Sequence, residues 1–482
     1  MTDADFDLAV LGMGPGGEQV AEDMAAAGWS VLGVDPGLVG GECPYFGCIP
    51  SKMIIRAAQT LNETQTVETL AGHASAEPDY AKVARRIAGE ATDDWNDQVA
   101  VDRFTDKGGT FVRGAARLDG RTDDGRFRIL VGDEVFTAAN VTLNTGTAPA
   151  IPPIPGLREL RGDDAGPHGL GDRPGPAGPV WTNREAMRAT ALPASLIVIG
   201  GGAIGVELAQ AFARFGVEVT VLEGAPRILG PEEPEASEAV TDVLRREGLD
   251  VRAGVKIETV GAGGRGVEVV LGGGDRVSAE KVLVAAGRRP NLDVGLDTLG
   301  LDAGARTLDV DDGMRVLNSD AIVDNLYAVG DITGRGAFTH VSVWQAGVLV
   351  AALKGEPSRF GGYHGLSWVT FTDPEVGRVG LTEAQARERG ITVRTGTTSI
   401  ASSTRGWIHG PGNDGVVKLV ADADRGVLVG ATVVSPYGGE ILGLLTLAVH
   451  AAVPLDSLAT MHYAYPTLHR AVLAAVQDLQ AG

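Results

Sequence analysis

Two stretches of this chain repeat one pattern: an apolar strand, a cluster of glycines, an Ala-rich helix, a second apolar strand and a closing acid. In the first, Leu8-Ala9-Val10-Leu11 runs into Gly12-Met13-Gly14-Pro15-Gly16-Gly17, and Val31-Leu32-Gly33-Val34 ends at Asp35. In the second, Leu196-Ile197-Val198-Ile199 runs into Gly200-Gly201-Gly202-Ala203-Ile204-Gly205, and Val217 to Leu222 ends at Glu223. A strand-helix-strand unit of this kind demands a parallel sheet covered by helices, so the fold class is α/β with two Rossmann-like dinucleotide-binding domains. Gly12 and Gly14, like Gly200 and Gly202, give a tight turn and let a pyrophosphate approach the backbone. Gly17 and Gly205 let helix and strand pack, and the helix start offers oriented N–H groups. One such cluster alone is weak evidence, since glycine turns arise by chance. Two copies, each followed by an acid at ribose-binding distance, imply two bound dinucleotides. A carboxylate at Glu223 accepts from a ribose 2′-OH and repels a 2′-phosphate, which favours NADH over NADPH. A solvated strand-end acid is the plainer alternative, and Arg227 nearby is a competing phosphate contact.

The chain has 482 residues, ~3 domains' worth of polypeptide. Its 41 Lys and Arg against 62 Asp and Glu give a net charge of −21, and no basic cluster offers a footprint for nucleic acid. No apolar run approaches the roughly 18 residues of a membrane span, and the acidic, glycine-broken N-terminus does not read as a secretory signal, so a cytoplasmic location is the default. The Gly- and Pro-rich stretch between Asp163 and Pro179 reads as a surface loop or insertion. Past about Arg359, β-rich runs such as Gly415–Val420 and Val427–Val434, followed by a helical stretch from Glu440 to Ala452, suggest a third, α+β domain.

There are only two cysteines, Cys43 and Cys48. One short loop cannot brace a chain of this length, so the pair calls for a chemical role. Zinc is a poor fit: two thiolates without further His or Cys leave a tetrahedral site half-filled, and no metal site is expected. The pair lies in Gly40-Gly41-Glu42-Cys43-Pro44-Tyr45-Phe46-Gly47-Cys48-Ile49-Pro50-Ser51-Lys52. This stretch resembles the redox-active disulfide motif of the flavin-dependent pyridine nucleotide-disulfide oxidoreductases, the group of dihydrolipoamide dehydrogenase, glutathione reductase and mercuric reductase. Further blocks follow in that family's order: Asn144-Thr145-Gly146, Ala286-Gly287-Arg288-Arg289-Pro290-Asn291, Tyr327-Ala328-Val329-Gly330-Asp331 and Phe371-Thr372-Asp373-Pro374-Glu375-Val376-Gly377.

The resemblance implies a class I oxidoreductase with FAD and NAD as cofactors. It implies an FAD domain in two segments, 1–150 and 286–358, an NAD domain at 151–285 between them, and a dimerisation domain at 359–482 that makes a homodimer. It carries over Asp35, Gly41, Thr145, Gly146, Gly330 and Asp331 to FAD, and Gly287 to the cofactor region. Cys48 would sit against the flavin, and Cys43 would be the exposed sulfur that exchanges with a substrate. Lys52 and Glu207 match the family's ion pair near the flavin, where a cation favours the reduced, anionic ring. A solvated helix face is the bland reading of Lys52.

The C-terminal stretch departs from the family. His462-Tyr463-Ala464-Tyr465-Pro466-Thr467-Leu468-His469-Arg470 carries Tyr465 where the family's acid-base His would stand, and Arg470 where its Glu partner would. A phenol, ionising near 10, is a poor base at neutrality, although it donates well. His462 and His469, the latter expected in a helix capped by Thr467, are possible substitutes; ordinary surface or interface histidines is the plainer reading. Family transhydrogenases with a Tyr-Pro-Thr step lack the cysteine pair, and mercuric reductases carry C-terminal cysteines that this chain does not. The leading expectation is therefore a dihydrolipoamide dehydrogenase-like enzyme passing electrons from NADH to Cys43–Cys48 and on to a small-molecule or protein acceptor. Direct flavin chemistry, as a transhydrogenase or quinone or dye reductase, is the alternative, and a low-turnover redox sensor is an alternative of another class. Tyr45 and Phe46 hint at an aromatic sulfur channel.

Overall fold

The structure is a computed structural model describing residues 4–162, 178–302, 304–358 and 360–481. Residues 163–177, nearly all of the expected Gly- and Pro-rich insertion, lie outside the described residues.

Both repeated units fold as their apolar spacing requires. In the first, β1 (Ala4–Leu11) leads through the glycine cluster into α1 (Pro15–Ala26) and β2 (Val31–Asp35). The next two helices, α2 (Glu42–Phe46) and α3 (Cys48–Leu70), carry the cysteine motif. In the second unit, β3 (Ser195–Ile199) leads into α4 (Ala203–Arg214) and β4 (Glu218–Glu223). Beyond it, α5 (Thr339–Leu353) packs along α1, and α6 (His469–Ala481) closes the described chain.

The first sheet has a parallel core in the order 321–328, 134–143, β1, β2, 110–113, extended by antiparallel strands at 315–318, 116–121 and 127–131. Strand 321–328 joins it from beyond the second unit. The second sheet is parallel throughout, in the order 250–253, β4, β3, 281–284, 180–181. In each, the strand bearing the glycine cluster is flanked by the next strand on one side and a later one on the other. This is the point where strand order reverses and a crevice opens at the strand ends. A two-stranded neck, 147–149 against 288–290, carries the chain between the sheets. The C-terminal part is a five-stranded antiparallel sheet, covered by the helix Gly438–His450 and by α6.

One packing contact decides where the chemistry sits. Ile54, Ile55 and Ala58 of α3 are buried in the same apolar cluster as Val206, Leu208, Ala209, Ala211 and Phe212 of α4. The cysteine helix is thus laid against the glycine-cluster helix of the second unit by apolar burial, worth about 1.5–3 kcal/mol for each large side chain.

Candidate active site

In the first cradle, strand 134–143 delivers Asn144 against the turn. A Cβ on Gly12, whose φ is +96°, would lie 2.3 Å from the Asn144 carbonyl oxygen, and one on Gly17 would lie 2.1 Å from that of Gly12. Side chains are sterically excluded there. Asn144 accepts from the Gly17 N–H at 2.9 Å and donates to the Val329 carbonyl at 2.9 Å, tying the turn to the stretch that precedes Gly330 and Asp331. Asp35 accepts from the Met13 N–H at 2.7 Å and the Gly37 N–H at 2.6 Å, while burial raises its pKa. Thr145 donates to the Asn291 carbonyl, and the Asn291 N–H returns to the Gly146 carbonyl. Asp331 accepts from Thr147 at 3.0 Å and is likewise raised by burial. Gly41 meets Gly14, and the Gly40 N–H donates to the Met13 carbonyl at 2.7 Å, so the loop entering the cysteine motif rests on the glycine turn.

The second cradle repeats these contacts. A Cβ on Gly200 would lie 2.4 Å from the Ala285 carbonyl oxygen, two residues before Gly287, and one on Gly205 would lie 2.0 Å from that of Gly200. Gly202 starts α4 with open space where a side chain would be. Glu223 accepts from the Gly201 N–H at 2.6 Å and the Ala225 N–H at 2.7 Å. Arg227 is turned to the Leu229 carbonyl at 3.2 Å. No side chain caps the start of α4, whose first turn presents backbone N–H groups as a pyrophosphate requires; in the first turn of α1, Pro15 has no N–H and the Gly17 N–H goes to Asn144, so that end offers fewer donors.

Between the cradles, the structure brings Cys43, Cys48, Lys52 and Glu207 together. Both sulfurs are free thiols, and the expected exposure is reversed: Cys48, at the start of α3, is exposed, and Cys43, in the short helix α2 whose Tyr45 and Phe46 pack inward, is half-buried. Cys48 opens α3, and its Sγ lies 3.4 Å from the Thr339 hydroxyl at the start of α5. A hydrogen bond from Cys43 pulls the Cys48 pKa down to about 6, against burial and with the help of Thr339 and the Lys52 ammonium. The same hydrogen bond, joined by burial, pushes Cys43 up. Near neutral pH the pair therefore shares one proton and carries one negative charge, with Cys48 the more acidic sulfur. Lys52 Nζ pairs with Glu207 at 2.7 Å and lies 4.5 Å from the Phe371 ring centroid; Glu207 also accepts the Phe371 N–H at 2.7 Å. Lys52 is therefore a paired cation, not a solvated face.

Tyr465 is not brought to this group within one chain. It is 68% exposed, with the Arg470 guanidinium 5.4 Å from its ring centroid. His462 is exposed and His469 opens α6, while the Thr467 hydroxyl donates back to the Ala464 carbonyl at 2.7 Å. Tyr45 and Phe46 are 7% and 4% exposed, so they pack inward beneath the sulfurs instead of lining an open aromatic channel. Sequence reasoning missed Thr339 and the part played by Glu42, whose carboxylate accepts from Asn183 and Arg184. Their partners lie 291, 141 and 142 residues away, and the one local signal was an acid set directly beside a cysteine.

Among the described residues, no group of three or more His, Cys, Asp or Glu is placed to hold a metal, and no helix is long and apolar enough to cross a membrane.

The sequence matches the family model described as pyridine nucleotide-disulphide oxidoreductase over residues 6–346, and that of the family's dimerisation domain over residues 366–476. A dihydrolipoyl dehydrogenase of Thermus scotoductus is 31% identical, with 98% of this chain and 97% of that protein covered. A mercuric reductase of Streptomyces lividans is 32% identical over 98% and 96%. Of solved structures, the HOCl-induced flavoprotein disulfide reductase RclA from Escherichia coli matches with a TM-score of 0.80 at 24% identity, over 98% of this chain and 99% of that one, a likeness of fold.

Proposed function

The chain belongs to the pyridine nucleotide-disulphide oxidoreductase family, and we propose that within it Cys43 and Cys48 carry electrons from NADH to a disulfide or comparable acceptor, in the manner of a dihydrolipoyl dehydrogenase. Membership makes it a flavin-dependent oxidoreductase that uses FAD and a pyridine nucleotide, with a dimerisation domain that supports a homodimer. Of the chain's segments, 1–150 and 286–358 would hold FAD, 151–285 NAD, and 359–482 would form the dimer. In support, the first sheet takes strands from both sides of the second, and the two family matches part between residues 346 and 366. The compartment we propose is the cytoplasm, where a close cysteine pair is more often redox-active than structural.

The residues fit the two groups. Gly12, Gly14, Gly17, Asp35, Gly41, Thr145, Gly146, Gly330 and Asp331 would line the first cradle, whose turn excludes a Cβ at Gly12 and at Gly17. Gly200, Gly202, Gly205, Glu223 and Gly287 would line the second. Bound in the first cradle, FAD supplies a two-electron relay between nicotinamide and disulfide. Glu223 would accept from an adenosine ribose, and with Arg227 turned to a backbone carbonyl this supports NADH over NADPH.

The proton shared by the two sulfurs carries the reading. Reduction of the Cys43–Cys48 disulfide by two electrons and two protons gives two thiols, of which Cys48 ionises first, held by Lys52 and Thr339. Cys43, passing its proton to the Cys48 sulfur beside it, attacks one sulfur of an acceptor disulfide, forming a mixed disulfide and expelling a thiolate that takes up that proton and leaves Cys48 ionised again. The Cys48 thiolate then attacks Cys43, restoring the internal disulfide and releasing the second thiol. Tyr465, exposed on the dimerisation domain, would reach the sulfurs of a second copy and donate its hydroxyl proton toward the departing thiolate; as a phenol it is a weak base.

Anaerobic titration of the yellow protein with NADH tests this. Two free thiols per chain and a long-wavelength thiolate-to-flavin band are expected, with both lost in Cys48→Ser. The replacement of the family's His by Tyr465 favours a second reading, direct transfer from the flavin to a quinone, dye or second nucleotide. On that reading no thiols are gained with excess NADH, and Cys48→Ser turns over as fast as the parent.

A further inference from the structure

The Glu42 carboxylate, next to Cys43 in α2, is gripped from two directions. Arg184 Nε and NH2 reach its Oε1 at 2.6 and 2.5 Å, and the Asn183 amide reaches its Oε2 at 2.9 Å. Both residues lie in the short helix Asn183–Arg188, which follows the edge strand of the second sheet. From the other side comes Arg288, in the neck, whose NH2 lies 3.2 Å from Oε2 while Nε and NH2 donate to the Thr147 hydroxyl and carbonyl of the paired neck strand. Burial alone would raise the Glu42 pKa, but Arg288 and Arg184 outweigh it and hold the group ionised. The same helix, joined by Trp95, holds the rest of the cysteine loop. Asn183 also donates to the Phe46 carbonyl at 2.8 Å, Trp95 donates to the Tyr45 carbonyl at 3.2 Å, and Arg184 and Arg188 lie 5.4 and 5.2 Å from the Phe46 ring centroid.

Cys48 is positioned differently. It belongs to the 23-residue helix α3, which is fixed by its own backbone and by apolar packing on α4. Cys43 sits in a five-residue helix that begins and ends at glycines, Gly41 and Gly47, and so depends on side-chain anchors for its place. Glu42 is the charged anchor adjacent to it.

We propose that Glu42, held by Arg184 and Arg288, is a positioning residue for Cys43: it fixes the reach of the exchanging sulfur relative to the neck between the two dinucleotide units, and acts on the disulfide half of the reaction only. This rests on the disulfide reading above. The ion pairs touch neither glycine turn, and Arg288 keeps its own bonds to Thr147, whose hydroxyl donates to Asp331, so replacing the Glu42 carboxylate leaves nicotinamide-to-flavin transfer in place. Cys43, released from its anchor, shifts by a fraction of an ångström, enough to change the rate of attack by roughly tenfold or more.

The test uses the flavin-loaded protein and iodoacetamide as probe. In the parent, flavin bleaching by NADH is followed by stopped flow, and alkylation of Cys43 after anaerobic reduction is followed by mass spectrometry. If the parent gains no thiols, the disulfide reading itself fails, and the outcome is told apart from failure of the anchor. Given thiols in the parent, Glu42→Gln is expected to change the Cys43 alkylation rate about tenfold with flavin bleaching within about twofold, and Glu42→Asp to recover part of the parent rate. Equal loss in both rates would mark a merely structural role and overturn the proposal, as would no change in either. Should Glu42→Gln not retain flavin, Arg184→Gln, which removes the shorter ion pair and keeps the acid, is read by the same two rates.

Discussion

Asp35 and Glu223 end equivalent strands and accept equivalent pairs of backbone hydrogen bonds, yet the chain leaves them in opposite ways. After Asp35, residues 36–38 are partly covered and Val39 is 1% exposed. The Val39 N–H donates to Asp97, which is paired with Arg113 at 2.6 Å, and the chain then folds back across Gly14 into the cysteine motif. After Glu223, residues 224–226 are exposed before the chain turns in at Ile228. One cradle is roofed by its own sequel; the other stands open. On the proposed assignment the same fingerprint would serve a group kept through many turnovers and one that must leave after each, with the difference written in the loop beyond the acid, not in the glycines.

The comparison is sharpened most by a matched pair of substitutions. Gly17→Ala and Gly205→Ala each drive a Cβ to about 2 Å from a carbonyl oxygen, and each is expected to cost about 2–3 kcal/mol. Gly17→Ala should purify with little flavin, whereas Gly205→Ala should keep its flavin and lose NADH affinity. Equal flavin loss in both, measured as absorbance per chain, would erase the distinction between the cradles. At the second acid, Glu223→Ala should lower the ratio of kcat/KM for NADH to that for NADPH by roughly tenfold, since a like-charge clash with the 2′-phosphate is removed. An unchanged ratio would assign selectivity elsewhere, Arg227 first.

Two smaller effects probe the junction. Lys52→Met leaves Glu207, 7% exposed, with the Phe371 N–H and no cation; because Lys52 itself is 36% exposed, the loss should be about 1–2 kcal/mol, read by denaturant midpoint. The pH dependence follows from Cys48. With its pKa depressed to about 6, the thiolate is present above that pH and is protonated as pH falls through it, so the long-wavelength band of NADH-reduced protein should fade with a midpoint near 6. Thr339→Val removes a hydrogen bond that favours the thiolate and should move that midpoint upward by between about half and one pH unit. A downward movement would mean that the hydroxyl serves the thiol instead.

What the sequence made legible was what is local. The glycine clusters, the strand-end acids and the cysteine motif each fit within about 30 residues and are governed by short-range sterics, and of the segments implied by the family blocks the dimerisation domain is matched over residues 366–476. Contacts made by packing were not legible. Thr339 reaches Cys48 because a Cβ-free face at Gly16 lets α5 lie against α1, and nothing near either residue encodes that approach. Lys52 was joined to Glu207 only through the resemblance, because the α3–α4 contact is made by the apolar side of each helix. Tyr45 and Phe46 misled for the same reason: a motif lists side chains but does not say which way a five-residue helix turns them.

Asn144 donates to Val329, 185 residues further along, across the seam where strand 321–328 joins strand 134–143. A chain emerging from the ribosome presents β1, β2 and strand 134–143 with that edge unpaired, and completes every strand of the second sheet before the missing one appears. The second unit has the more local connectivity and should collapse first; the first must wait, its edge exposed, until the seam closes. Closing so long a loop adds little entropic cost once the intervening segment is compact, since that cost grows only with the logarithm of length. On the proposed assignment flavin uptake is therefore tied to the last strand of the first sheet, and a nascent chain stopped before residue 321 should already bind nicotinamide nucleotide while remaining colourless.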